Sequence, residues 1–278
     1  MRLAALVDSG ELLGFLPQGE AVGAWENEGF IHIYWRRDRW SPRALQDLES
    51  ALRGLGCDTG FADIRVEYVK DRDWNADWLR SIKPRLIGSR VFVRQSWNPD
   101  PAPEGTIELI IDPKRAFGSG YHATTRLLVS WLAERIRGGE SVLDVGTGSG
   151  ILAMTSLRLG AEKALGIDID PVAVECALEN ASLNRFGPEL QLLTGTVENV
   201  GDSIFDLITA NIDRNTLLAL CGSLGKKLHP DGRLLLSGLQ EEDLADISTA
   251  LAACGGRVSE TRELEEWLAI EAVFEASR

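Results

Sequence analysis

Three observations predict an α/β chain, with a doubly wound, mostly parallel sheet preceded by a small N-terminal α+β unit. From about residue 111 onward, short apolar runs alternate with stretches of helical length. A glycine cluster, VLDVGTGSGI, stands where the first of those runs ends. Residues 1–70 lack the alternation and hold β-branched and aromatic runs around one amphipathic stretch. Continuous apolar strands separated by helices make a parallel sheet covered on both faces. Ligands of such sheets bind beyond the carboxyl ends of the strands.

The elements follow in order. In the N-terminal unit, FIHIYW (30–35) and DIRVEYV (63–69) read as strands, with a further strand before Glu26. Between them, SPRALQDLESALRGLG spaces its apolar residues as a helix, with Ser41 as N-cap, Pro42 at the first helical position and Gly56 as the stop. Residues 71–110 carry Trp74, Trp78 and Trp97, end in Pro99, Pro101 and Pro103, and read as a linker segment. Strands are then predicted at SVLDVG (141–146), ALGIDI (164–169), LQLLTG (190–195), FDLITAN (205–211), RLLLSG (233–238) and WLAIEAVF (267–274). Helices fill 123–136, 150–160, 171–184, 215–228 and 240–253. The predicted domains are therefore 1–70 and 111–278, joined by 71–110.

Composition excludes several functions. Hydrophobic residues make up 44% of the 278, enough for a core, yet no run of 18 apolar residues occurs to span a membrane. MRLAALVDSGELLGFL is interrupted by polar residues and does not read as a signal peptide. Four cysteines and three histidines are scattered, which predicts no metal site or disulfide framework and fits a reducing cytoplasm. The net charge is −13, and residues 111–278 hold 15 basic against 25 acidic side chains. That balance argues against direct nucleic-acid binding and suits a basic partner.

The glycine cluster carries the chemistry. Gly146, Gly148 and Gly150 sit at a strand end, where the chain turns sharply and a ligand approaches the backbone. The emerging helix presents N–H groups and partial positive charge. The spacing is G-x-G-x-G, one residue shorter than the dinucleotide fingerprint. With Asp144 inside the strand it resembles the cofactor loop of S-adenosylmethionine-dependent methyltransferases; a nucleotide-dependent oxidoreductase and a plain strand–helix turn are the alternatives. Asp168, 22 positions after Gly146, ends the next strand, where an acid accepts from both ribose hydroxyls. Asp170 and Pro171 read as the cap and first residue of the following helix. Glu198 and Asn199 are weaker candidates for contact with an adenine amine. Asn211 ends the fourth strand, as an acceptor does in amino-group methyltransferases, with the Ile212 backbone carbonyl beside it. The alternative is that Asn211 only caps the helix starting near Asn215. AFGSGYHATT (116–125) reads as a wall closing over the donor. Gly118 and Gly120 give its bend, Phe117 or Tyr121 packs on the ligand, Thr125 hydrogen-bonds it, and His122 orients rather than acting as a base.

Together these residues resemble the bacterial ribosomal protein L eleven methyltransferase family (PrmA) over most of the chain. The carriers are Asp112-Pro113, Ala116-Phe117-Gly118, Gly120, His122, Thr124-Thr125, VLDVGTGSGILA, GIDIDP, Ala210-Asn211-Ile212 and GRLLLSG, with Trp74, Trp78, Pro84, Gly88 and Trp97 upstream. The resemblance implies a seven-stranded Rossmann-like methyltransferase sheet and an N-terminal substrate-recognition domain. It implies S-adenosyl-L-methionine as donor, and a monomeric cytoplasmic enzyme that methylates lysine side chains or the N-terminal amine of one large-subunit ribosomal protein. By motif position it puts cofactor contacts on Thr125, Gly146, Asp168 and Asn211; Gly148, Gly150 and Phe117 join them from the reading of the loops. Four features depart from the family pattern: Ser119 and Ala123, the added charge of Lys114-Arg115, the polar Asp213-Arg214-Asn215 after Asn-Ile, and an N-terminal unit short by a strand. They keep open a methyltransferase for another protein or a small amine, and a non-catalytic cofactor-binding module of the same fold.

Overall fold

A computed structural model describes residues 2–4, 12, 16, 21–27, 30–37, 40–55, 64–68 and 82–274. The chain divides into two units, Met1–Trp74 and Asn75–Arg278. In the smaller unit β1 (Arg2–Ala4), β2 (Ala21–Asn27) and β3 (Phe30–Trp35) form an antiparallel sheet in the order β1-β3-β2. Helix α1 (Arg43–Gly54) packs Leu48, Ala51 and Leu52 with Ile31 and Ile33 and also buries Ala44, because its apolar residues recur at helical spacing. Pro42 rather than Ser41 is the cap residue, and Ser41 contributes its backbone carbonyl to Ala44 N–H instead of its hydroxyl. Of the strand predicted over 63–69, the described residues 64–68 hold one isolated bridge at Arg65. Gly56, Trp74 and Trp78 lie outside the described residues.

In the larger unit, the described part of the predicted linker contains β4 (Arg85–Ile87), β5 (Val91–Arg94) and β6 (Ile107–Ile110), a three-stranded sheet. Ile87, Val91, Val93 and Leu109 carry it into the main core. Trp97 is exposed, and the proline-rich stretch runs over the surface between β5 and β6.

The seven-stranded sheet comprises β7 (Ser141–Val145), β8 (Lys163–Asp168), β9 (Leu190–Thr194), β10 (Phe205–Asn211), β11 (Leu228–Leu239), β12 (Gly256–Leu264) and β13 (Trp267–Phe274). Its order is β12-β13-β11-β10-β7-β8-β9, parallel from β11 to β9, with β13 antiparallel to both of its neighbours. β12 has no counterpart among the predicted strands. Its sequence GRVSETREL alternates along an edge with exposed charges, where the prediction followed continuous apolar runs.

Strand parity sorts the two faces. Val142, Ala164, Leu207, Leu235 and Ala269 point to one core, shared with α2 (Ala123–Arg135) and α3 (Ile151–Leu159). Leu143, Val145, Ile208, Leu234, Leu236 and Ile270 point to the other, shared with α5 (Arg214–Gly225) and α6 (Leu244–Ala253). Both faces of the inner strands are covered, so these strands read as apolar runs, while the edge strands β9 and β12 are partly exposed. α4 (Pro171–Leu183) follows β8, with Asp170 accepting from Val172 N–H at 2.8 Å and Pro171 at its first turn, as predicted. Adjacent strands β7 and β10 lead to helices on opposite faces, which opens a crevice at their carboxyl ends. Among the described residues no helix is long and apolar enough to cross a membrane, and no group of His, Cys, Asp and Glu is arranged to hold a metal.

Candidate active site at the carboxyl edge of the sheet

Asp144 lies beneath the glycine loop and is wholly buried. Its carboxylate accepts from the hydroxyls of Thr147 and Thr209, both at 2.7 Å, and from the backbone of Ala153 in the first turn of α3. The anion at that helix N-terminus is therefore supplied by the protein itself. Burial outweighs these hydrogen bonds and pushes the Asp144 pKa up to about 6.

The loop above is shaped by contacts its glycines permit. At Gly148 (φ +55°) a Cβ would lie 2.5 Å from the carbonyl oxygen of Phe117, so only glycine lets the two segments touch. A Cβ on Gly146 would lie 2.4 Å from Ile212 Cγ2, and one on Gly238 would lie 2.3 Å from the Ile212 carbonyl oxygen. Ile212 is thus clasped between β7 and β11. Gly150 serves packing: its open side faces Ala177 on α4 and Met154.

The second glycine segment rests directly on the first. Ser149 N–H donates to Phe117 O at 2.8 Å, and Ser149 Oγ donates to Gly118 O at 2.6 Å. Phe117 is 55% exposed, and its ring meets His122 edge-on at 5.2 Å. His122 in turn meets Trp267 at 4.8 Å. His122 caps α2, its Nδ1 accepting from the N–H and hydroxyl of Thr124 at 3.4 and 2.8 Å, which fixes the ring. Tyr121 points away from this wall's open side: its hydroxyl donates to Lys83 O and accepts from Gln95 Nε2.

Asp168 accepts from Gly148 N–H (2.9 Å) and Asp170 N–H (3.0 Å). An ionised carboxylate offers about four acceptor positions, so two remain for the paired hydroxyls of a ribose. Ile169 beside it is 77% exposed, an apolar side chain at the edge that the sequence reading passed over. Asn211 donates from Nδ2 to Thr125 Oγ1 at 3.4 Å, leaving Oδ1 without a hydrogen-bond partner among the described residues. Thr125 is fully buried beneath it. The cap of α5 is Asp213, whose carboxylate accepts from the N–H groups of Asn215 and Thr216 and from the Thr216 hydroxyl, holding its pKa below the usual range. Asn211 therefore does not serve as that cap. Arg214 is paired with Asp243 (3.1 Å), the N-cap of α6, and with Asp246 in its first turn. Asn199 is engaged too, its Oδ1 accepting from Thr196 N–H at 2.8 Å within a turn at 197–200.

Comparison with known proteins decides the family. The model for "Ribosomal protein L11 methyltransferase (PrmA)" matches residues 21–275. The chain belongs to this family. A ribosomal protein L11 methyltransferase of Cupriavidus pinatubonensis is 41% identical over 79% of this chain and 74% of its own length. One from Symbiobacterium thermophilum is 37% identical over 80% and 72%. The crystal structure of a ribosomal protein L11 methylase from Lactobacillus delbrueckii subsp. bulgaricus superposes with a TM-score of 0.66 at 30% identity, covering 70% of this chain and all of that one. Within the family's fold, the sequence reading named Asp168, Asn211 and the glycines. It did not name Ser149, Trp267 or Gly238. Ser149 and Trp267 gave no signal because their partners lie far away in sequence.

Proposed function

We infer that this chain is an S-adenosylmethionine-dependent N-methyltransferase acting on lysine side chains, or the N-terminal amine, of ribosomal protein L11. The observation that carries the reading is the adjacency of β7 and β10. It sets the Asn211–Ile212 edge against the Gly146 turn, where Thr209 pairs with Asp144 in the ladder and Asn211 with Ser237. The glycine loop and the two open acceptor positions of Asp168 suit a ribose-bearing donor, and the partly exposed wall from Phe117 to His122 closes one side.

Bound there, S-adenosylmethionine supplies a methyl group on a positively charged sulfur. Transfer of that methyl to an amine would form a nitrogen–carbon bond as the carbon–sulfur bond broke, so the residues around the amine would have to hold its lone pair in line. A lysine amine with a reference pKa of about 10.4 must first shed a proton. Asn211 Oδ1 and the Ile212 carbonyl are hydrogen-bond acceptors rather than bases; they orient the neutral amine, and the proton leaves to solvent. Acceleration comes mainly from that orientation. With Asp213 committed to a helix cap and Arg214 to ion pairs, the departure after Asn-Ile has a structural account and gives no support to a different substrate. The acidic surface suits a basic ribosomal protein. The reading places a monomeric enzyme in the cytoplasm, with no direct nucleic-acid contact.

The test is incubation of the purified chain with methyl-labelled donor and ribosomal proteins from a methylation-deficient strain. Label on L11 alone is the expected result. Donor binding with no transfer to any amine would overturn the enzymatic reading, and label on another protein or a small amine would overturn the substrate.

A further inference from the structure

Asn180 on α4 and Asn184, the residue capping its C-terminus, stand one helical turn apart and are nearly inaccessible, at 1% and 4%. Asparagine is a poor helix former, so a buried asparagine inside a helix, as at 180, needs a purpose. Asn184 serves β6: Oδ1 accepts from Ile110 N–H at 2.8 Å, and Nδ2 donates to Ile110 O at 2.6 Å, as a neighbouring strand would. Asn180 does something different. Its Nδ2 donates to Ser149 O at 3.0 Å, and its Oδ1 accepts from Asp112 N–H at 3.2 Å. One side chain thus joins the middle of the glycine loop to the start of the segment that becomes the wall.

The connection closes a ring. Asp112 is held to Ser149 through Asn180, and Phe117 and Gly118 are held to Ser149 directly. Residues 112–118 are therefore a strap fastened at both ends to a single residue of the glycine loop. Glu179, the neighbour of Asn180, pairs with Lys114 in the middle of the strap. Asp112 is also fixed on its other side by Ser96, through N–H and hydroxyl donors at 2.7 Å each.

We propose that Asn180 is a positioning residue for the donor site: it sets the height of the 112–118 strap over the glycine loop, and through it the donor affinity. The proposal rests on the donor-site reading above. Asn184, similarly buried at the C-terminal cap of the same helix, bonds through its side chain to β6, to Asn180 O (2.8 Å) and to Met154 Sδ (3.9 Å) but to neither the strap nor the glycine loop, and is the internal control.

Hydrogen exchange and donor calorimetry on the full chain test it together. Asn180→Ala removes both side-chain hydrogen bonds; it should speed exchange across 112–118, raise the dissociation constant for S-adenosylmethionine and its KM about tenfold, and leave kcat at saturating donor within about threefold. Asn184→Ala should lower Tm comparably, speed exchange at 107–110, and leave donor affinity within about twofold. Asn180→Asp keeps the acceptor for Asp112 but loses the donor to Ser149; it should also weaken donor binding, and it judges the proposal if the alanine variant does not fold. Unchanged exchange over 112–118, unchanged donor affinity, or an equal affinity loss in Asn184→Ala would each overturn it. Failure of the wild-type chain to bind donor would instead sink the functional reading, and the exchange data would still show whether Asn180 holds the strap.

Discussion

The floor and the wall of the site, both rich in glycine, are built on different physics. The floor, 144–150, is buried and fixed by steric necessity: an aspartate with both carboxylate oxygens hydrogen-bonded below, and glycines above that let Ile212 and Phe117 come within contact. The wall, 112–122, is partly exposed and fixed by a few hydrogen bonds from Ser149, Asn180 and Thr124. Close contact without a Cβ tolerates almost no substitution. A hydrogen-bonded strap tolerates many, each costing about 1 kcal/mol.

The largest expected effect breaks the two apart. Gly148→Ala drives a methyl group into the Phe117 carbonyl at a positive φ, and should cost about 3–4 kcal/mol and abolish donor binding. Gly139→Ala, also at positive φ (+90°) but with nothing nearby, should cost only about 1 kcal/mol. Urea denaturation of both variants checks the contrast.

Asp144 sharpens the floor. Its folded pKa of about 6 lies above the usual value of 3.8, so the native state binds the proton more tightly than the unfolded chain. Its contribution to stability is therefore greatest below pH 4 and falls as pH rises to about 6, by on the order of 3 kcal/mol. Asp144→Asn removes this dependence, so the variant should gain on the wild type across that window when denaturation is followed against pH. Parallel curves would show that the buried carboxyl ionises freely.

Between floor and donor, Asp168→Ala should weaken donor binding by about 1–3 kcal/mol, since a charged acceptor is lost. An unaltered dissociation constant by calorimetry would remove Asp168 from the site. On the wall side, Ser149→Ala deletes the hydroxyl bond to Gly118 O and the longer one accepted from Ile151 N–H at 3.3 Å, and should cost about 1–2 kcal/mol, read as a fall in Tm with weaker donor binding.

The same contrast explains what the sequence disclosed. Five strands of the larger sheet were legible because burial leaves largely apolar runs, the half-exposed edge strand β9 because LQLL is mostly apolar all the same, and the floor because its glycines lie within one short stretch. Asp170 and Pro171 announced their cap through local chemistry. The wall's fastenings were not legible: Asn180 lies 68 residues from Asp112, and nothing local links them. Their only sign was an asparagine inside a helix, four residues before the one that caps it. Trp267 read as the start of a strand, and only the return of β13 beside β11 brings it to His122. His122 reads in the sequence as an orienting residue, and its cap on α2 emerged only with the fold.

Hydrogen exchange of the wild-type chain, with and without S-adenosylmethionine, tests the central claim that floor and wall form one donor site. Protection should rise together at 144–150, at 168–170 and across 112–122. Protection confined to the glycine loop and Asp168, with 112–122 unchanged, would contradict it.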